Sequence, residues 1–302
     1  MGKIQKILQY LINSICYLKY RDPIVVNAWV QVNYGEIVHR NWGDELNVYL
    51  LELLTGKKVL VANRSLWHIL VPTKNFICIG SVLGWYENKQ SEIWGAGALT
   101  KNIVLKNNSV KIHLVRGKYT RQLLIKQGIE CPECYGDPAL LLSKLYSPSI
   151  SKRYRMGIIP HYVEEDQAYI SDYVSSHNDV CLISMSKYDQ WTDVIDKIAS
   201  CDFILSGSLH GLIVSDSYGI PNIWVTFSEE QLQLRDFKFR DYFSSVRRDE
   251  STQPIRIRNE KDLNSLYNLR YQDINYGVQI DYETIIKSCP VISENVLSDF
   301  YY

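Results

Sequence analysis

The sequence predicts an α/β protein in which two open, largely parallel sheets follow one another along the chain. Short apolar runs rich in β-branched residues alternate with segments whose apolar residues recur at helical spacing. Several of the runs end in a glycine turn, the usual exit from a buried parallel strand into a helix. The alternation stops once, at 135–155, in a stretch rich in Pro, Ser and basic residues that reads as a linker, and then restarts. A chain of 302 residues with 46% apolar composition can bury two domains of common size.

The elements follow in order. In residues 1–22, Ile4, Ile7, Leu8, Leu11, Ile15 and Leu18 recur at helical spacing, flanked by Lys3, Lys6, Lys19 and Arg21. Gln5, Gln9, Asn13 and Ser14 interrupt the apolar run, which excludes a membrane span, and no small-residue cleavage site follows. Such a basic amphipathic helix, peripheral to both domains, can lie on an anionic membrane surface or pack on its own domain or on a partner protein.

Residues 23–145 form the first expected domain. "PIVVNAWV" is a strand, "GDELNVYLLELLTG" a helix ended by Gly56, "NFICIGSVLG" and "EIWGAGAL" strands with glycine turns, "KIHLVRG" a strand and "KYTRQLLIKQG" a helix. Residues 146–250 form the second. "MGIIPHYV", "DVCLISMS", "DFILSGS" and "IPNIWVTF" are its strands; "DQAYISDYVSS", "WTDVIDKIASC" and "LHGLIVSDSYG" are its helices. Residues 251–302 are polar and read as a tail with one or two helices.

Lys plus Arg equals Asp plus Glu at 33 each, so no global field draws this chain to nucleic acid, and affinity for anions has to be local. Seven cysteines are scattered. The CxxC of Cys131 and Cys134 has no second ligand pair for zinc and precedes Gly-Asp-Pro rather than opening a helix, so these read as plain thiols in a reducing, cytoplasmic setting.

Two doubly wound domains in series imply a cleft, with chemistry in the loops beyond the carboxyl ends of the strands. Those loops are "NWGD" (41–44), the turns at Gly80–Gly84 and Gly95–Gly97, "VRGKYT" (115–120), "IPHY" (159–162) and "SGSLHG" (206–211). His210 sits where a strand turns into a helix, so backbone N–H groups without intrahelical partners surround it; that place binds an anion or is an ordinary N-cap. Asp44 likewise reads as an N-cap or as a base, and Asp137, before Pro138, as a turn former.

In this order the loops resemble the polysaccharide pyruvyl transferase family: "NWGDELN", "ICIGSVLG", "IWGAG", "VRGKYTRQLL", "YGDPALLL", "IIPHYVEED", "SGSLHGLIVSDSYGIP" and "KFRDYFSSV", over roughly residues 25–246. The resemblance implies a glycosyltransferase-B-like fold of two Rossmann-like domains. It also implies transfer of pyruvate from phosphoenolpyruvate to a sugar of a bacterial surface polysaccharide or exopolysaccharide precursor, as a ketal with release of phosphate. Phosphoenolpyruvate carries a carboxylate and a phosphate, which points to Arg116, Arg240, Lys238, His161 and the turn of Ser206, Ser208 and Gly211 as donor contacts, with Lys118 and Arg121 as weaker candidates. His210 suits the acid that protonates the donor's methylene carbon, and Asp44 the base on the acceptor hydroxyl. Asn41 and Trp42 are candidate acceptor contacts. No metal and no cofactor is expected; phosphoenolpyruvate is a co-substrate, the partner is a glycan acceptor, lipid-linked or free, and the place of action is the cytoplasm, extending to the inner face of the membrane.

One departure stands out. Many members of that family have Arg-Leu-His where this sequence has Ser208, Leu209 and His210. Two other readings therefore stay open: a nucleotide-sugar glycosyltransferase on the same fold, and a non-catalytic scaffold of glycan assembly.

Overall fold

A computed structural model describes residues 2–270, 272, 274 and 277–300. Met1 of the expected N-terminal helix, and Tyr271, Asp273, Asn275, Tyr276, Tyr301 and Tyr302 of the expected tail, lie outside the described residues. The chain divides into two units, Met1–Pro138 with Asp281–Tyr302, and Ala139–Ile280. The change of unit thus falls before Ala139, where the sequence reading placed it after residue 145, and the last stretch returns to the first unit.

The first unit runs α1 (Lys3–Tyr17), β1 (Ile24–Val26), β2 (Gln31–Asn33), β3 (Glu36–Val38), α2 (Trp42–Thr55), β4 (Val59–Val61), α3 (Leu66–Leu70), β5 (Asn75–Ile77), β6 (Ser91–Trp94), β7 (Lys111–Leu114) and α4 (Lys118–Lys126). Its five-stranded sheet has the order β4-β1-β5-β6-β7, parallel throughout. β4 and β5 are buried along their whole length, as strands covered on both faces are. Ile77, Val82, Ile93, Val115 and Leu124 build one core, and the fully buried Leu46, Leu50, Leu51 and Leu54 seat α2.

The second unit runs α5 (Leu142–Leu145), β8 (Tyr154–Ile159), α6 (Ala168–Ser176), β9 (Val180–Leu182), α7 (Trp191–Ala199), β10 (Cys201–Ser206), α8 (Leu209–Ser217), β11 (Asn222–Thr226), α9 (Glu229–Ser245), β12 (Ile255–Arg256) and α10 (Glu260–Tyr267). Its sheet, β12-β11-β10-β8-β9, is also parallel. Met156, Ile158, Phe203, Leu205 and Val225 pack beneath α6 and α10 through Ile170 and Leu263.

The two sheets share one doubly wound order. Numbered by appearance within its own unit, each sheet reads second, first, third, fourth, fifth. The direction of growth therefore reverses between β1 and β5 in the first unit, and between β8 and β10 in the second. At such a switch point the loops leave in opposite directions and open a crevice.

Three local expectations are corrected. The segment between β1 and α2 is a hairpin, because Tyr34 and Gly35 both take positive φ (51° and 80°), the two-residue turn that matches strand twist. The first part of the expected linker is core: residues 136–142 are buried, because its Ala-Leu-Leu-Leu run is apolar even though the surrounding composition is not. The tail contributes β12 and α10 to the second unit, while α11 (Tyr282–Lys287) and α12 (Glu294–Asp299) belong to the first, where the Ile285 carbonyl accepts from Trp94 Nε1 at 3.1 Å.

The N-terminal helix packs on its own unit, but with its polar side. Asn13 is fully buried; its Nδ2 donates to the carbonyls of Val32 (3.2 Å) and Arg64 (2.9 Å), and its Oδ1 accepts from Gly35 N (3.1 Å). Gln9 Nε2 donates to the Val32 carbonyl at 2.7 Å, and the Ser14 and Ser65 hydroxyls meet at 3.0 Å. The apolar stripe from Ile4 to Leu18 faces outward. An Asn13→Ala variant leaves buried backbone groups unsatisfied, at a cost of about 1–3 kcal/mol. Urea denaturation measures this, and an unshifted midpoint would show that Asn13 does not seat the helix.

Candidate functional site

Each unit places its strand-end loops at its own switch point. In the first unit, asparagines fix these loops. Asn47 of α2 pairs with both polar backbone groups of Ile79 at 2.8 Å, and Asn63 pairs with those of Ala28 at 3.4 and 3.0 Å. Asn27 Nδ2 donates to Asn75 Oδ1 (2.9 Å) and to the Tyr86 carbonyl (3.1 Å). The loops after β1 and β5 are thereby held against one another.

The "NWGDELN" segment divides its labour differently from the sequence reading. Asn41, not Asp44, is the N-cap of α2, and Asp44 lies in the first turn, buried, accepting from the Asn41 amide. Glu45 carries the capping work. Its Oε1 accepts from the N–H groups of Arg40 (2.7 Å) and Asn41 (3.0 Å), and its Oε2 lies 2.8 Å from His39 Nδ1. Asp44 Oδ1 lies against Gly80, where an added Cβ would come within 2.5 Å of it. Trp42 is fully buried in the core, which removes it from the acceptor contacts expected of it. The exposed aromatics at this edge are instead Trp29, after β1, and Trp85, after β5, packed edge to face with centroids 5.7 Å apart.

Arg116 is at the carboxyl end of β7 as expected, but it has no exposed surface. Its Nη1 donates to Ser81 Oγ and its Nη2 to the Ala98 carbonyl, each at 2.7 Å. The guanidinium lies flat on Gly97, where a Cβ would sit 2.3 Å from Cζ, so only glycine fits. Gly97 N in turn donates to the Gly80 carbonyl at 3.0 Å. Arg116 thus ties together the turns after β5 and β6 and, in this geometry, braces them.

In the second unit, β8 and β10 end in register, Ile159 opposite Ser206, and Gly207 N continues the ladder to the Ile159 carbonyl at 2.8 Å. Ser206 shapes the turn that follows: its buried hydroxyl accepts from Ser208 N (3.1 Å) and donates to the Ser208 carbonyl (2.8 Å). A Cβ on Gly211 would lie 2.3 Å from that hydroxyl. Ser208 is the N-cap of α8, without a side-chain capping bond, and His210 is half-buried in the first turn. His161, one residue past Pro160 at the end of β8, packs its ring on Tyr162 at 4.4 Å and backs onto Gly207 through its own N–H. The structure therefore brings His161, Ser206, Ser208, His210 and Gly211 to one edge, beside the N–H groups that open α8.

Lys238 and Arg240 stand on α9. Arg240 is engaged within its unit, with Nε 2.7 Å from Asp236 Oδ2 and Nη1 on the Glu250 carbonyl. Lys238 is buried over the Phe239 ring, which stacks on Trp224 of β11. In the first unit, Arg121 Nε donates to the Cys131 carbonyl at 3.1 Å.

Sequence reasoning missed two buried carboxylates. Glu165 gathers the loop after β9, accepting from the Ser184 and Ser186 hydroxyls and from Met185 N, all at 2.9 Å. Its signal is the "EED" following "IPHY" with "SMS" further on. Asp216, in α8, is fully enclosed; Asn222 Nδ2 donates to Oδ1 at 2.6 Å, Tyr242 donates to Oδ2 at 2.7 Å, and Arg248 Nη1 stands 3.8 Å away. No sequence spacing announces this set, because Tyr242 and Arg248 come from beyond the next strand.

Burial is the largest influence on Asp216 and pushes its carboxyl up from 3.8 to about 6, against the opposing pull of Arg248, Tyr242 and Asn222. A carboxyl raised in the folded state binds its proton there at a pH where the unfolded chain has lost it. The contribution to stability is therefore full below pH 3.8 and is lost as pH rises toward about 6. It amounts to about 3 kcal/mol. In an Asp216→Asn variant the group is neutral throughout. Between these limits, urea denaturation should show wild type gaining on the variant by that amount as pH falls, and a pH-independent difference would contradict the assignment.

The brace reading of Arg116 is tested separately. An Arg116→Met variant should lose about 1–3 kcal/mol for a buried acceptor left unsatisfied. Normal stability with a raised donor KM would assign Arg116 to the donor instead.

The sequence pattern of the polysaccharide pyruvyl transferase family matches residues 72–229. Over 243 residues the chain is 31% identical to an uncharacterized protein of Acanthamoeba polyphaga mimivirus, covering 78% of this chain and 82% of that protein. Over 226 residues it is 26% identical to the succinoglycan biosynthesis protein ExoV of Rhizobium meliloti, covering 70% of this chain and 64% of that relative, a little under two thirds of its length.

Proposed function

The chain belongs to the polysaccharide pyruvyl transferase family, and from that premise we propose that it transfers pyruvate from phosphoenolpyruvate to a sugar of a polysaccharide precursor, as a ketal with release of phosphate. The likeness to a protein named for succinoglycan biosynthesis supports a polysaccharide as the acceptor class. The glycosyltransferase-B-like fold class and a cytoplasmic place of action belong to the same proposal.

The observation that carries it is the edge formed by β8 and β10, where two histidines flank a serine–glycine turn that opens a helix. Helix-opening N–H groups suit the donor's phosphate or carboxylate without an arginine at position 208. His210 gives a proton to the methylene carbon of phosphoenolpyruvate, which becomes the methyl group and leaves an oxocarbenium-like carbon. One sugar hydroxyl adds to that carbon and releases its proton. A second hydroxyl then displaces phosphate, which leaves with its bonding electron pair and takes up the proton this hydroxyl loses, and the ketal closes. Phosphate bound nearby favours the charged imidazole, so the donor itself keeps a proton on the group that must deliver it. The reaction as written needs no cofactor. Within the first unit, the exposed rings of Trp29 and Trp85 are of the kind that pack on the apolar face of a pyranose.

His210→Ala should lower kcat roughly 100-fold or more, the scale for a lost general acid, with a smaller change in donor affinity. His210→Gln keeps a hydrogen-bond donor and loses the proton; near-normal turnover in that variant would leave His210 a binding role only. Thermal unfolding separates the donor classes. Phosphoenolpyruvate should raise the melting temperature while nucleotide sugars leave it unchanged, through linkage to the folded state. The opposite pattern would make the protein a nucleotide-sugar glycosyltransferase, and no response to either would favour a scaffold.

A further inference from the structure

The N-terminal helix is mounted the wrong way round for a soluble helix. An amphipathic helix ordinarily buries its apolar stripe and wets its polar one. In α1 the polar stripe of Gln9, Asn13 and Ser14 is spent on hydrogen bonds to the body of the first unit, and the apolar stripe is presented to solvent. Ile4 is 75% exposed and Leu18 83%. Gly35 of the β2–β3 hairpin backs onto Cys16, and the Tyr17 hydroxyl accepts from Val61 N at 3.4 Å, so the helix is seated along its length.

The neighbouring α3 extends the same surface. Trp67 N donates to Ser14 Oγ at 3.1 Å, and His68 lies edge-on to the Tyr17 ring at 6.4 Å, so the two helices are joined. Trp67, Leu70 and Val71 are nonetheless exposed, at 63%, 70% and 49%. A contiguous apolar face of this kind marks an interaction surface rather than scattered exposure.

Charge says what covers it. Residues 1–21 contain Lys3, Lys6, Lys19 and Arg21 and no Asp or Glu, and residues 62–74 also contain no acidic residue. The flanking cations Lys3, Lys19 and Arg21 are exposed on the first unit. A second copy would bring the same basic rim against itself, whereas an anionic lipid headgroup layer complements it while the acyl region takes the apolar stripe. Among the described residues no helix is long and apolar enough to cross a membrane. We propose that the α1–α3 face docks the first unit on an anionic bilayer, with α1 lying in the headgroup plane and Trp67 and Leu70 inserted beside it. The proposal does not depend on the chemistry assigned above; it adds where that chemistry is carried out.

The full-length chain is sedimented with vesicles of phosphatidylcholine alone and of phosphatidylcholine mixed with phosphatidylglycerol, at low and high salt. Wild type should sediment with the mixed vesicles, far less with the neutral ones, and should be released by salt. Leu8→Glu with Leu11→Glu should weaken binding about ten-fold or more while leaving the melting temperature in place, since both side chains are exposed. Lys3→Gln with Lys6→Gln should weaken binding to the mixed vesicles several-fold and leave the neutral ones unaffected. The proposal is overturned if wild type stays in the supernatant with both vesicles, including as a dimer that Leu11→Glu dissociates, or if binding survives the Leu8 and Leu11 substitutions.

Discussion

A parallel sheet releases all its strands at one edge, and both halves of this protein depend on that constraint. Each sheet reverses its direction of growth between its first and third strands, so two of the loops at that edge part and leave room. Irregular loops that must stay open cannot be held by a ladder, so buried polar side chains hold them instead. In the first unit Arg116 draws the turns after β5 and β6 onto one guanidinium, with the asparagines at 27, 47 and 63 fixing the remainder. In the second unit the Ser206 hydroxyl does the same on a smaller scale, closing the turn that presents His210.

The helix behind that turn has its own anchor. Asp216 stands in the last turns of α8 and collects Asn222 from β11, Tyr242 from α9 and Arg248 beyond it, while the Ser217 hydroxyl donates to the Leu140 carbonyl at 2.8 Å. The apolar residues of α8 are buried nearly all round, so the helix cannot rotate without breaking these contacts. The position of His210 follows from interactions at both ends of its helix, only one of which is visible in the "SGSLHG" motif.

Much of the fold was legible because it rests on local rules. Gly56 and Gly219 take positive φ after the helices they were expected to end, and the buried runs of β8 and β10 lie where β-branched and aromatic residues concentrate. The failures have one cause: they turn on partners distant in sequence. "GDPALLL" read as linker because its flanks are Pro, Ser and basic, while its leucines find their core elsewhere. Arg116 was located correctly, yet which way its guanidinium faces depends on Ser81 and Ala98. Trp42 looked like a sugar contact beside Asp44, but the helix turns it into the core. The orientation of α1 was hidden too, because Asn13 looks like an interruption of an apolar helix until its three backbone partners are known.

The neutral net charge fits the proposed chemistry, which leaves anion affinity to a helix start and two histidines rather than to a field over the whole surface. The central claim is that the chain protonates an enol phosphate on carbon and keeps the pyruvyl group on the sugar. The reaction run in heavy water with phosphoenolpyruvate and a glycan acceptor, followed by mass spectrometry of the product, tests this most directly. The account predicts a pyruvyl ketal whose methyl group carries solvent deuterium, formed together with free phosphate. A ketal methyl with no solvent deuterium, or an acceptor that gains a sugar from a nucleotide sugar and no pyruvyl group, would contradict it.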